Sequence, residues 1–264
     1  MALPGLKKFH QEAMSPPDKL TSQPLRGRVA LVTGSARGLG STLAREFAAD
    51  GADVAVHYRH SETEAANVAQ QIRIAGRRAE TFRADLAHTD EARALVRQVV
   101  ETFGQLDCLV YNVGPFLTEP FLSLSETDWD FILNTNLKAA WVMAVEAAPA
   151  LRRTGSGRII HIGANSALVR THSVYGLAKA ALVHLTESLA VELGPHVTVN
   201  CIAPGMIEGS EPDEATRQAV LSRTPTGKLV TAEEIAKMCV SLCHPDSGSI
   251  TGRTIVMDGG RWLR

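Results

Sequence analysis

The chain has 264 residues, of which 45% are hydrophobic and 21% are charged, and its formal net charge is −1 at pH 7. This composition is typical of one large folded domain, and without a block of Lys and Arg it argues against a nucleic-acid surface or a polybasic membrane anchor. We therefore expect small molecules and like subunits as partners.

The cysteines and the N-terminal segment carry no sign of export. Cys108, Cys201, Cys239 and Cys243 stand in apolar contexts without a C-x-x-C pair or a histidine cluster. This pattern favours a reduced cytoplasmic compartment and gives little support to a disulfide framework or a metal site. Residues 1–26 have no continuous apolar stretch, so we interpret them as an N-terminal extension and place the domain at residues 27–264.

Beyond residue 27, short β-branched runs alternate with longer amphipathic stretches, which indicates a parallel sheet with crossover helices. The predicted strands are Val29–Thr33, Asp53–His57, Ala79–Ala84, Leu106–Asn112, Gly157–Gly163, Val197–Ile202 and Thr254–Met257. The predicted helices are Ser41–Asp50, Glu62–Ala75, Thr89–Phe103, Thr127–Arg152, Ser173–Leu193 and Ala232–Cys243. Seven parallel strands fit one doubly wound α/β domain, in which ligands collect beyond the carboxyl ends of the strands.

A glycine-rich loop, Thr33-Gly34-Ser35-Ala36-Arg37-Gly38-Leu39-Gly40, follows the first predicted strand and opens into a helical pattern. Its three glycines allow a sharp turn and bring backbone N–H groups and a positive helix end against a pyrophosphate. Taken alone the spacing is a weak signal, because glycine-rich turns also serve as plain connectors. With the strand before it and the helix after it, the loop predicts a dinucleotide site.

Tyr175 and Lys179 lie four residues apart on a predicted helix and therefore share a face. A phenol with a pKa of about 10 is a poor acid or base near neutral pH, but an adjacent ammonium stabilises the phenolate. We expect Lys179 to lower the pKa of Tyr175 toward the working range, as reduction of a carbonyl requires.

These residues together resemble the short-chain dehydrogenase/reductase family from Gly27 to the C-terminus. The resemblance rests on the glycine loop and on Asp85, Asn112-Val113-Gly114, Asn136, Tyr175-x-x-x-Lys179, Pro204-Gly205, Thr251-Gly252 and Asp258-Gly259-Gly260. It implies a single Rossmann-like domain, often tetrameric, that moves hydride between a nicotinamide cofactor and a carbonyl or imine carbon.

The resemblance also implies roles for individual residues. Tyr175 would be the general acid, Lys179 would lower its pKa and bind the nicotinamide ribose, and Asn136 would hold a water in the proton relay. Asp85 would accept a hydrogen bond from the adenine amino group, and Asn112 and Gly114 would line the ribose. The further cofactor contacts implied are Gly34, Ser35, Arg37, Gly38, Leu39, Gly40, Arg59, Leu86, Pro204, Gly205 and Ile207. Each residue taken singly also has a purely structural explanation.

The chain departs from the family pattern where a serine usually stands, because Ala164 occupies that position and the loop is two residues shorter. Alanine has no hydrogen-bond donor, so one contact that strengthens as charge develops on the substrate oxygen would be missing. Asn165 or Ser166 would replace it, or both would only satisfy backbone groups of the turn, and the sequence leaves these alternatives open.

The end of the second strand indicates the cofactor. The segment Val54-Ala55-Val56-His57-Tyr58-Arg59 has no acid at its end to bind a ribose 2′-hydroxyl. Arg37 and Arg59 would together hold a 2′-phosphate by charge-assisted hydrogen bonds, which predicts NADP(H).

Substrate and assembly are the least determined features. The chain body resembles bacterial 3-oxoacyl reductases, whereas Val56–Ser61 and the tail after Asp258 resemble pteridine and dihydromonapterin reductases. We therefore expect an NADPH-dependent reductase of a 3-oxoacyl compound or another ketone, with a pteridine-type reductase or a non-catalytic NADP(H)-binding sensor or structural subunit as alternatives. The resemblance also implies a homo-oligomer, a dimer or tetramer. Apolar residues on several faces of the two long helices, including Trp141, Val142, Leu182 and Leu185, would suit a subunit interface as well as a core.

Overall fold

Seven short apolar strands form the centre of the protein in the computed structural model, which describes residues 23–165, 172–210 and 213–263. They are β1 (Val29–Val32), β2 (Asp53–Tyr58), β3 (Ala79–Arg83), β4 (Cys108–Tyr111), β5 (Gly157–Ile162), β6 (Val197–Pro204) and β7 (Thr254–Met257). They lie in the order β3-β2-β1-β4-β5-β6-β7, and every neighbouring pair is parallel. The predicted seven-stranded Rossmann-like sheet is confirmed.

Helices cover both faces of this sheet, so the central strands are buried on both sides, and β1 and β4 read as continuous apolar runs. One apolar layer joins the sheet to α1 (Gly38–Ala49), α2 (Glu62–Ile74) and α8 (Ala232–Cys243). The other joins it to α3 (Thr89–Phe103), α5 (Ala139–Arg153) and α6 (Val174–Leu193). None of the described helices combines the length and the apolar character that crossing a bilayer requires.

Two helices differ from the sequence prediction. The stretch predicted as one helix, Thr127–Arg152, is divided into α4 (Glu126–Leu133), a π-helical turn (Asn134–Lys138) and α5. The turn is anchored by the Tyr111 hydroxyl, which donates to the carbonyl of Thr135. A further helix, α7 (Glu214–Leu221), lies in a segment where no helix was predicted, and the Asp213 side chain caps it by accepting from the Thr216 N–H.

The strand order places a cleft at the carboxyl ends of β1 and β4. From β1 the chain proceeds outward through β2 to β3, and then returns to β4 on the other side of β1. Loops leaving these two neighbouring strands therefore run in opposite directions, and the gap between them is where ligands of such sheets bind.

The start of the domain stays a prediction. Leu25 lies two residues before the proposed boundary at residue 27, yet its side chain is fully buried in the core. Its backbone N–H donates to the carbonyl of Asp50 at 3.0 Å. Leu25 therefore packs as part of the folded body.

Candidate active site

Two adjoining cavities open at the carboxyl ends of the strands. One of about 310 Å³ is lined by Gly34, His57, Arg59, Ala84, Asp85, Leu86, Val113, Gly114, Pro115, Phe131 and Thr135. The other, of about 300 Å³, is lined by Gly34, Ala36, Arg37, Tyr58, Arg59, His60 and Ser61. The structure thus brings together six of the predicted cofactor residues, Gly34, Arg37, Arg59, Asp85, Leu86 and Gly114.

The glycine loop has the geometry of a phosphate cradle. Gly34 and Gly38 adopt left-handed φ angles of +64° and +51°, which disfavour other residues. A Cβ at Gly40 would lie only 2.1 Å from the carbonyl oxygen of Gly34. Arg37 precedes α1 without a side-chain cap, so no side chain at that position occupies the first N–H groups of the helix. Uncapped N–H groups at a positive helix end suit a pyrophosphate.

His57 clamps this loop, which the sequence did not predict. Its Nδ1 accepts from the Gly34 N–H at 2.8 Å, so its Nε2 carries the proton and donates to the Ala84 carbonyl at 3.1 Å. Its backbone N–H donates to Ser35 Oγ at 3.0 Å, and its carbonyl accepts from the Ser35 N–H at 2.9 Å. Burial lowers the pKa of His57 to about 4, so the imidazole stays neutral at physiological pH. The sequence signal that could have revealed this role is a polar residue, His57, near the end of the buried strand β2.

Asn112 holds the same loop from the other side. Its Nδ2 donates to the carbonyl of Thr33 at 3.0 Å, and its backbone N–H donates to Thr33 Oγ1 at 2.8 Å. Ser35 and Leu39 are packed inward as well, Ser35 through a hydrogen bond to the Val32 carbonyl and Leu39 against the apolar core. These side chains support the glycine loop on the side that faces the protein interior.

Arg59 and Asp85 face each other across the larger cavity. Arg59 Nη1 lies 3.7 Å from Asp85 Oδ2, and both side chains keep substantial exposure. Asp85 Oδ1 also accepts from the Ala87 N–H at 3.0 Å, which fixes the carboxylate at the end of β3. Because Arg59 also lines the smaller cavity with Arg37, the two predicted phosphate-binding cations share one chamber.

Asn136 and Lys179 converge beside Gly114. Asn136 lies in the π-helical turn, and its Nδ2 donates to the carbonyls of Pro115 and Ile132, both at 3.1 Å, while its buried Oδ1 has no partner among the described residues. Lys179 Nζ donates to the Ile162 carbonyl at 2.9 Å, and burial lowers its pKa to about 8. A Cβ at Gly114 would lie 2.6 Å from Asn136 Oδ1 and 2.7 Å from Lys179 Nζ. The amide oxygen and the ammonium therefore meet at the wall of the larger cavity.

Tyr175 and Lys179 face each other, but the pKa of Tyr175 is raised rather than lowered as expected. Lys179 Nζ lies over the Tyr175 ring, 5.6 Å from its centroid, and its hydrogen bond goes to the Ile162 carbonyl. Burial of the phenol therefore dominates and raises the pKa of Tyr175 to about 12. The hydroxyl keeps its proton at neutral pH, which is the state that a general acid needs.

The segments after β5 and β6 approach each other. Asn165 Nδ2 is buried without a partner among the described residues, and it lies 3.5 Å from where a Cβ of Gly205 would stand. Pro204 ends β6, and Gly205 is packed against Asp258. Ile207 forms a parallel bridge with Val230. Ser166, the other candidate to replace the missing serine hydroxyl, lies outside the described residues.

The comparisons with known proteins agree with this geometry. The sequence family described as enoyl-(acyl carrier protein) reductase matches residues 34–261. An uncharacterised oxidoreductase of Mycobacterium tuberculosis is 40% identical over 89% of this chain and 92% of its own length. The 3-oxoacyl-[acyl-carrier-protein] reductase of Staphylococcus aureus is 33% identical over 89% of this chain and 98% of its own. The chain belongs to the short-chain dehydrogenase/reductase family.

Solved structures of similar chains contain the predicted cofactor. A short-chain dehydrogenase of Burkholderia cenocepacia in complex with NADP is 38% identical, with a TM-score of 0.85 over 90% of this chain and 99% of that one. A blue fluorescent protein from a metagenomic library in complex with NADPH is 33% identical, with the same TM-score and coverage. These relatives carry the predicted cofactor, NADP(H), and the glycine cradle and the arginine chamber of this chain fit it.

Gly114→Ala tests whether the close approach at position 114 matters. The added Cβ would displace Asn136 Oδ1 and Lys179 Nζ, and displacements of about 1 Å near a reacting centre lower rates by about 10²-fold. We expect kcat/KM for NADPH-dependent reduction to fall by that order while the melting temperature changes little. Gly248→Ala is the matched control, because its Cβ would meet nothing nearer than 3.6 Å. Equal kcat/KM values of the two variants would contradict the assignment of Asn136 and Lys179 to the active site.

Proposed function

We propose that this protein reduces the carbonyl group of a small ketone, of the 3-oxoacyl type or another kind, with NADPH as hydride donor. The observation that carries the proposal is the meeting of a buried ammonium, Lys179, and an unpartnered amide oxygen, Asn136, beside Tyr175 at the wall of the nucleotide cavity. Burying an ammonium with a single hydrogen bond to protein is unfavourable, so such a group points to chemistry.

NADPH, when bound at the glycine cradle, supplies the hydride for the carbonyl carbon. Tyr175 gives its phenolic proton to the carbonyl oxygen. Lys179 stabilises the phenolate that remains, since its ammonium lies over the same ring. Asn136 Oδ1 accepts from a water that Lys179 also contacts, and this water returns a proton to Tyr175 from solvent. The product is the corresponding alcohol.

Asn165 takes the place of the missing serine in this proposal. Its Nδ2 is the buried, unpartnered donor that follows β5, directly after Ala164. A carbonyl oxygen bound within its reach would satisfy the amide and gain a contact that strengthens as negative charge develops. Ser166 is the alternative donor.

Tyr175→Phe tests the reaction. Loss of the general acid lowers kcat by about 10²–10⁴-fold, whereas the dissociation constant for NADPH should stay within about twofold, because the ring itself is retained. NADPH oxidation is followed with a panel of ketones, 3-oxoacyl thioesters, quinones and dihydropteridines, and NADPH binding is followed by fluorescence. In the same panel, Asn165→Ala should lower kcat/KM by about 10²-fold. A Tyr175→Phe enzyme with unchanged kcat/KM would refute the proposal.

Two alternatives are discriminated by the same panel. Turnover confined to dihydropteridines would favour a pteridine-type reductase, which the Val56–Ser61 segment resembles. NADPH binding without turnover of any substrate would favour a non-catalytic sensor or structural subunit. Tyr175 beside the Lys179 ammonium speaks against the second alternative, because a protein that only binds nucleotide has no need for a proton donor at this place.

We infer a preference for NADPH over NADH from the arginine chamber. Arg59→Ser should raise KM for NADPH by about 10- to 100-fold and leave KM for NADH nearly unchanged, because hydrogen bonds to a charged group contribute about 1.5–3 kcal/mol. Arg45→Ser, a change of the same type on α1 outside both cavities, is the control. A wild-type protein that prefers NADH would overturn the inference.

We also propose that the protein is a cytoplasmic homo-oligomer, a dimer or tetramer. Trp141 and Val145 on α5 and Leu177 and Val191 on α6 are exposed apolar side chains on neighbouring helices, which suits an interface between copies. Light scattering should give a molar mass at least twice the 28.3 kDa of one chain. A mass equal to one chain would contradict it.

A further inference from the structure

The segment that follows Gly114 presents aromatic rings to solvent next to Tyr175. The Phe116 ring packs edge-to-face on the Tyr175 ring, with centroids 5.0 Å apart and planes at 75°, yet 69% of Phe116 is exposed. On the same segment Phe121 and Trp129 form a second ring pair with centroids 6.4 Å apart, and both are partly exposed. An exposed ring that packs on the Tyr175 ring, with a second exposed ring pair on the same segment, indicates a surface that a ligand covers.

The same segment is acidic. Residues 115–131 contain Glu119, Glu126, Asp128 and Asp130, all exposed, and no Lys, Arg or His. Beyond β6 the chain adds Glu208 and Glu214, and Arg217 lies 3.7 Å and 3.9 Å from their carboxylates. Pro115 and Phe131, the two ends of the acidic segment, line the larger cavity. A substrate that carries phosphates would therefore be repelled by the carboxylates of this segment, whereas an uncharged substrate would not.

We propose that the substrate is an uncharged ketone with an aromatic ring fused or attached beside the carbonyl, and that Phe116 is the specificity-determining residue for that ring. The proposal rests on the reductase function above and names the substrate class of the same site. The substrate ring lies against the exposed part of Phe116, and this contact directs the carbonyl oxygen to the Tyr175 hydroxyl. The carbonyl carbon gains hydride from NADPH and the oxygen gains the Tyr175 proton, which gives a secondary alcohol and NADP⁺.

Two matched substrate pairs test the class. The first compares 2-tetralone with cyclohexanone, which lacks the aromatic ring, and we expect kcat/KM to be at least about tenfold higher for 2-tetralone. The second compares the acetoacetyl thioester of N-acetylcysteamine, which is uncharged, with acetoacetyl-coenzyme A. The uncharged thioester should be the better substrate at low salt, and the difference should narrow at high salt as the field is screened.

Two variants assign these effects to residues. Phe116→Leu keeps an apolar side chain but removes the ring. It should therefore raise KM for 2-tetralone by about tenfold and leave KM for cyclohexanone unchanged. Phe103→Leu is the control, since this ring lies at the end of α3 against Phe82. Glu126→Gln combined with Asp130→Asn should raise kcat/KM for acetoacetyl-coenzyme A several-fold and leave 2-tetralone unaffected.

The outcomes separate this inference from the function on which it rests. A higher kcat/KM for acetoacetyl-coenzyme A than for 2-tetralone and for the uncharged thioester would overturn the proposed substrate class. An equal effect of Phe116→Leu on KM for 2-tetralone and for cyclohexanone would overturn it as well. Either result would leave the reductase function intact. Absence of any NADPH oxidation would overturn the reductase. Calorimetry with 2-naphthol and the NADP⁺ complex tests the ring contact without turnover, and binding that Phe116→Leu does not weaken would overturn it.

Discussion

The burial of the Lys179 ammonium is the constraint on which the site depends. One hydrogen bond to the Ile162 carbonyl ties it to the end of β5, and it lies over the Tyr175 ring. Position 114 has no room for a side chain because Nζ and Asn136 Oδ1 crowd it, and Asn136 reaches that point from a π-helical turn. A buried charge is tolerated only where its surroundings are arranged around it, so glycine, amide and phenol are placed by the same requirement.

Much of the fold follows from local sequence rules. Strands buried on both faces read as apolar runs such as Val29–Val32, and the glycine loop marks the step from strand to helix, so β1, α1 and the cleft were predicted correctly. The π-helical turn was missed, because such turns are rare and short and no residue type in Asn134–Lys138 marks one. Helix α7 was missed because it is only eight residues long, although Asp213 is an N-cap residue.

The sequence predicted which residues lie in the candidate site better than it predicted their pKa values. Spacing alone placed Tyr175 and Lys179 on one face, which the structure bears out, but spacing carries no information on burial. The pKa of each group is set mainly by how completely the fold removes it from water, which raises the pKa of Tyr175 and lowers that of Lys179. The role of His57 was missed because its hydrogen-bond partners, Gly34 and Ala84, are distant from it in sequence.

The imidazole of His57 joins the loop after β1 to the end of β3, so the two halves of the nucleotide cleft form one mechanical unit. Engineering this cleft for a different dinucleotide is therefore constrained. Exchanges confined to Arg59 remove its contact with Asp85 but leave the hydrogen bonds of His57 to Gly34 and Ala84 in place. A redesign that also replaces His57 on β2, two positions before Arg59, would remove the hydrogen bonds to Gly34 and to Ala84 together. It would thereby loosen both the glycine loop and the segment that carries Asp85.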